Sequence, residues 1–155
     1  MVNRSHTIDH LDIIFWDKGK MLEKIRSENT LYAIIIRHSF NKQGIEFFTP
    51  PEFSQQLGYM QWGKGHLIHP HAHKDVQREV IKTQEVLFVK SGRVRVDFYD
   101  ENDELDLDTI LNKGDVILLA DGGHGFEMLE ASEIIEVKQG PYAGDEDKRR
   151  FGQYE

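Results

Sequence analysis

The chain has 155 residues, of which 39% are hydrophobic and 30% charged, with a formal net charge of −8 at pH 7. That length and balance describe a globular chain of one ordinary domain, taken as a single unit over residues 1–155. The acidic charge argues against a general binder of nucleic-acid backbones. Zero cysteines exclude disulfides, thiolate catalysis and Cys-type zinc sites. No apolar run approaches the ~18 residues of a membrane helix. The opening stretch Met1-Val2-Asn3-Arg4-Ser5-His6 lacks the apolar heart of a signal peptide, so a cytoplasmic protein is expected.

In chain order, Ile13 to Trp16 reads as a short edge strand. Asp17 to Asn29 carries Met21, Leu22 and Ile25 among lysines and glutamates, a spacing that predicts a short amphipathic helix or helical turn. Leu31 to Phe40 reads as a strand centred on Ile34-Ile35-Ile36. Asn41-Lys42-Gln43-Gly44 signals a turn, with Ile45 to Phe48 as the expected hairpin partner. Pro50-Pro51 interrupts regular structure, Leu57 to Trp62 resumes it, and Gly63-Lys64-Gly65 ends it. Glu85 to Val89 and Arg93 to Tyr99 are read as a hairpin turning at Ser91-Gly92. In the second of these, Val94, Val96 and Phe98 alternate with Arg93, Arg95 and Asp97, which puts one face inside. Further strands are expected at Leu105 to Thr109, Asp115 to Leu119, His124 to Met128 and Glu133 to Gln139. The basic run Lys148-Arg149-Arg150, following Asp145-Glu146-Asp147, reads as a solvated tail. Short strands with frequent turn signals and no helix–strand alternation predict an all-β fold.

The densest chemistry lies at His69-Pro70-His71-Ala72-His73. Residues i, i+2 and i+4 of an extended segment share a face. Glu85 opens a strand and shares parity with Leu87 and Val89, so its carboxylate is expected to point inward. An inward carboxylate needs a partner charge, and a metal would supply one. His124 follows the turn Gly122-Gly123. Imidazoles and a carboxylate carried on strands are the parts of a divalent-metal site. Gln84 takes the place of Glu85 if the register slips by one, and His69 is an alternative to His71. His66, His6, His10 and His38 are read as ordinary surface or hydrogen-bonded histidines. Phe126 and Met128 share the parity of His124; core packing is the expected role for both. Arg37, Tyr59, Gln61, Glu136 and Lys138 are lesser polar candidates for a pocket.

These residues resemble the motifs of the cupin superfamily. Gly65, His71, His73, Glu85 and Gly92 fall on the first motif, and Gly114, Gly122 and His124 on the second. The resemblance covers residues 55–140. It implies an all-β double-stranded β-helix, a jelly-roll barrel, here preceded by the short helix or helical turn. It also implies a divalent metal (Fe, Mn, Ni or Zn) held by His71, His73, Glu85 and His124. The segment Lys74 to Gln84 separates His73 from Glu85 by eleven residues, far more than the family spacing. It is therefore expected to be a loop over the pocket mouth.

The resulting expectation is a metal-binding enzyme acting on a small polar, carbohydrate-like molecule by isomerase- or epimerase-like chemistry. The catalytic residues are left unassigned, because Glu85 is already counted as a ligand. The alternatives are a non-catalytic small-ligand-binding module and a non-haem iron oxygenase built on the same ligands. No nucleic-acid or membrane partner is expected. A homodimer through the N-terminal half is, because Ile13 to Trp16 and Leu31 to Ile36 are apolar strand material ahead of the motifs.

Overall fold

The structure is a computed structural model that describes residues 11–16, 20–27, 29–141 and 143–152. Eleven strands follow one another: β1 (Leu11–Trp16), β2 (Lys20–Ser27), β3 (Thr30–Ile36), β4 (Gly44–Phe47), β5 (Gly58–Gln61), β6 (Glu85–Ser91), β7 (Arg93–Tyr99), β8 (Leu105–Asn112), β9 (Val116–Leu119), β10 (Gly123–Met128) and β11 (Glu133–Lys138). A short 3-10 turn, Gly144–Asp147, comes last. Among the described residues there is no α-helix, so the all-β expectation stands.

The strands form three antiparallel sheets, ordered β1-β2-β3-β9-β6-β11, β10-β7-β8 and β4-β5. The two larger sheets face one another. Ile35, Leu87, Val89, Ile117 and Leu119 from the first meet Val94, Val96, Phe98 and Leu111 from the second. On the other side of the large sheet, Leu22, Ile34, Ile36 and Leu118 pack against Phe40, Phe48 and Leu57 beside the β4-β5 hairpin. Strands β3 and β9 are thus covered on both faces. That is why they read as unbroken apolar runs rather than alternating ones.

The same double coverage corrects the expected helix. Leu22 and Ile25 are three residues apart and both buried, as on one face of a helix. Yet residues 20–27 form β2, with Leu22 beside Ile36 and Ile25 beside Ala33. On a strand, residues three apart point to opposite faces. Leu22 joins the outer cluster and Ile25 the inner one. A strand buried on both sides imitates the helical spacing.

Two expected hairpins are also corrected. Ile45 to Phe47 pairs with β5, not with β3. The β6 and β7 strands do not pair: β6 lies between β9 and β11, and β7 between β10 and β8. The turn at Gly92 is real, but it is a corner that carries the chain from one sheet to the other. Gly92 has φ +84, and a Cβ there would lie 2.2 Å from Ser132 Oγ, so only glycine fits the corner.

Arg37 ties the layers together. Its guanidinium donates to both oxygens of Glu23 at 2.7 Å, to Asp115 Oδ2 at 2.9 Å and to the Ile110 carbonyl at 2.6 Å. Asp115 is fully buried and also accepts from the backbone N–H of His38 at 2.8 Å and of Asn112 at 2.9 Å. A buried carboxylate survives because each oxygen is occupied. Arg37, a candidate pocket group in the sequence, is therefore a structural clamp.

Candidate acid–base cleft

Glu85 and His124 come from opposite sheets and meet at one end of the sandwich. Glu85 shares the inner face of β6 with Leu87 and Val89, as its parity predicts, and is 6% exposed. Gln84 is also buried but lies just before β6 and does not line the cleft, so Glu85 is the residue that reaches it. His124 sits across the ladder from Phe98, whose side chain belongs to the core, so its ring faces inward too. His124 Nε2 lies 3.3 Å from Glu85 Oε2. The hydrogen bond from His124 holds the Glu85 carboxyl below the usual carboxylate range, against the opposing pull of burial, and the charges of Lys148 and Lys138 add to it.

Lys138 faces Glu85 across the β6-β11 ladder. Its ammonium is 3.7 Å from Glu85 Oε1, 3.8 Å from Glu136 and 3.8 Å from Asp147. Asp147 also accepts from Thr83 Oγ1 at 2.8 Å, and Lys82 pairs with Asp121. Lys82, Thr83, Glu85, Asp121, His124 and Asp147 border a cleft of ≈ 990 Å³ that curves round the edge strand β10. Phe126 lines it beside His124, with the two rings 5.5 Å apart.

The far wall is made by the C-terminal segment. Arg149 grips Asp103 with two hydrogen bonds of 2.7 Å. Phe151 packs edge-on against Tyr99 at 5.2 Å. A Cβ on Gly123 would come within 2.7 Å of the Phe151 ring, so glycine at this position leaves the ring room to lie on the sheet. The run 148–150 is exposed, as the sequence suggests, but it is anchored on either side of its solvated face, by Arg149 on Asp103 and by Phe151 against Tyr99 of β7. An acidic block followed by a basic one carries no signal for this anchoring; the aromatic Phe151 just beyond the run was the available cue.

The structure places the expected ligands in two groups. Glu85 and His124 are together in the cleft. His71 and His73 lie on the irregular stretch 62–84, their rings 5.4 Å apart. His71 Nδ1 is 3.0 Å from the carbonyl oxygen of His69, within hydrogen-bond reach. No group of three or more histidine, aspartate or glutamate side chains is gathered to hold a metal among the described residues. Within this chain the four expected ligands are therefore not gathered around one point. The loop expected at Lys74 to Gln84 is there, and it begins earlier, at Trp62.

The remaining histidines behave as surface groups. His66 stacks on Trp62 at 4.0 Å, and His38 reaches Asp115 at 3.3 Å. His6 and His10 lie outside the described residues. Tyr59 packs against Phe40, and neither it nor Gln61 lines the cleft. Leu31 to Ile36, expected to serve a dimer, is interior to the sheet, with Ala33, Ile34 and Ile35 fully buried. Met128 is half exposed rather than part of the core. No helix among the described residues is long and apolar enough to cross a membrane.

Fold and site together define a class: an antiparallel β-sandwich with a carboxylate–imidazole pair set in an open cleft. No family model, no curated protein and no solved structure matches the chain.

Proposed function

We propose that the chain is a small cupin whose cleft performs acid–base chemistry on a small polar, carbohydrate-like molecule, in the manner of an isomerase or epimerase. The observation that carries this reading is the 3.3 Å contact between Glu85 and His124 at the border of a cleft of ≈ 990 Å³. A carboxylate bound to one ring nitrogen fixes the tautomer and leaves the other nitrogen to accept a proton. With Nε2–H donated to Glu85, His124 Nδ1 is the base. It would take a proton from the carbon next to a substrate carbonyl, and the bonding electrons would pass to the carbonyl oxygen. The imidazolium would then return the proton to the former carbonyl carbon, on the same face, while the proton of the adjacent hydroxyl passes to the former carbonyl oxygen and the hydroxyl carbon becomes the new carbonyl. Glu85 stabilises the imidazolium in between. The atoms balance with no external oxidant or reductant.

Deuterium exchange tests this. Keto sugars incubated with the protein in D2O should gain deuterium next to the carbonyl, by NMR. His124→Ala should abolish the exchange, and Glu85→Gln should slow it by about 10²-fold or more. Saturable binding of the sugars with no exchange would replace the enzyme by the non-catalytic binding module.

A divalent metal is the second reading. Its support is the donor chemistry: Glu85 and His124 supply a carboxylate and an imidazole, and His71 and His73 form a ready imidazole pair. Among the described residues the two groups are not gathered into one cluster. Metal analysis of protein purified without oxygen, with oxygen uptake, separates this reading and its iron-oxygenase branch.

A further inference from the structure

Phe126 is placed as a core residue and left bare. On β10 it stands opposite Val96 of β7, and directly opposed residues of an antiparallel pair share a face. Val96 is fully buried between the sheets, so the Phe126 ring points to that same inner side. It is nevertheless 39% exposed. The cause is position: β10 is the edge of its sheet, and the cleft curves round that edge. An inner-face aromatic that its own chain leaves open to a cleft is an apolar floor for a flat partner.

Two further observations say what lies on that floor. First, it adjoins the acid–base pair. His124 precedes Phe126 by two residues on the same face, and the two rings are 5.5 Å apart. A ligand the size of one sugar ring that rests on Phe126 is therefore within reach of the imidazole. Second, the charges round the cleft are largely spent on one another: Lys82 on Asp121, Arg95 on Asp97 and Arg149 on Asp103. Glu146 and Lys148, on the C-terminal wall, are of opposite sign. Walls of this kind suit hydroxyl groups better than an ion. Paired carboxylates keep spare lone pairs and paired guanidinium groups keep spare N–H donors, and a hydroxyl uses both. A neutral ring with C–H bonds on its faces and hydroxyls round its rim meets the floor and the walls together.

We infer that Phe126 is the specificity-determining residue of the cleft: it stacks on the C–H face of a neutral, ring-closed sugar and turns the rim of that ring toward His124. The inference rests on the acid–base reading of the cleft, and it adds the ring form and the uncharged state of the substrate. The carbonyl that His124 addresses is then one that ring closure leaves free.

Binding of methyl β-glucopyranoside and methyl β-galactopyranoside, whose rings cannot open, tests this by saturation-transfer NMR and titration. Saturation should be strongest at the axial C–H groups of one ring face. Phe126→Leu should raise Kd about five- to tenfold, and Phe126→Tyr, which keeps an aromatic plane, should restore it. Phe47→Leu, at a phenylalanine that is 58% exposed outside the cleft, should leave Kd unchanged. Methyl glucuronide, which carries a carboxylate, should bind more weakly than the glucoside. An unaltered Kd in Phe126→Leu would overturn the inference, and so would tighter binding of the glucuronide or of benzyl alcohol than of either pyranoside. Pyranoside binding involves no proton transfer, and deuterium exchange into dihydroxyacetone, which has no ring, needs no stacking. Exchange without pyranoside binding would sink this inference alone. Pyranoside binding that depends on Phe126, with no exchange in any keto sugar, would sink the acid–base reading alone.

Discussion

Arg149 and Asp103 are joined by a two-pronged ion pair, with both contacts at 2.7 Å, and through it the C-terminal segment becomes a wall of the cleft. Fork-on-fork geometry of this kind adds direction as well as attraction. The pair is well exposed, so its effect is local rather than global. Arg149→Ala should leave the urea midpoint nearly unchanged. Amide exchange over residues 144–152 should rise by about tenfold or more. If exchange there is unaltered, Phe151 on Tyr99 holds the segment unaided.

Asp115 offers a different outcome, because it is buried and each of its contacts is internal. Asp115→Ala would leave the Arg37 guanidinium and two backbone N–H groups short of an acceptor. Breaking a buried pair from one side costs about 3–5 kcal/mol. Urea unfolding of the variant should show that loss. A change under ~1 kcal/mol would mean that water takes over the role of the carboxylate.

Acid should weaken the fold partly through Glu85. Its folded carboxyl is held below the ordinary value near ~4.3 by the His124 hydrogen bond. A lowered pKa contributes stability that is present above the unfolded pKa and is lost as pH falls through the folded one. Urea midpoints taken from pH 7 down to pH 3 should therefore drop. In Glu85→Gln the drop should be smaller over the same window. Parallel curves for the two proteins would assign the acid sensitivity to other carboxylates.

Gly92 tests the corner between the sheets. Its φ of +84 and the nearness of Ser132 and the Ala131 carbonyl leave no room for a side chain. Gly92→Ala should cost at least ~1–2 kcal/mol from backbone strain alone, more once Ser132 is displaced. Thermal unfolding should show a Tm lower by several degrees. An unchanged Tm would mean that the corner can adopt another conformation.

The inner face of β7, with Val94, Val96 and Phe98, was legible because an alternating strand with one wet face writes its orientation into the order of residue types. The parity of Glu85 was legible for the same reason, and so was the turn at Gly92. The partners of these strands were not. Pairing joins residues far apart in the chain, and β6 finds β9 and β11 while β7 finds β10 and β8. A turn signal says that the chain bends; it does not say whether the next strand stays in the same sheet. The β2 strand escaped for another reason: burial on both faces erased the alternation that marks a strand. At the site, local order determined that Glu85 and His124 face inward. Only the packing of two sheets brought them within 3.3 Å. His71 and His73 sit beside each other in sequence and remain beside each other in space. They are carried on the irregular stretch 62–84, which no strand pairing holds against the sheets.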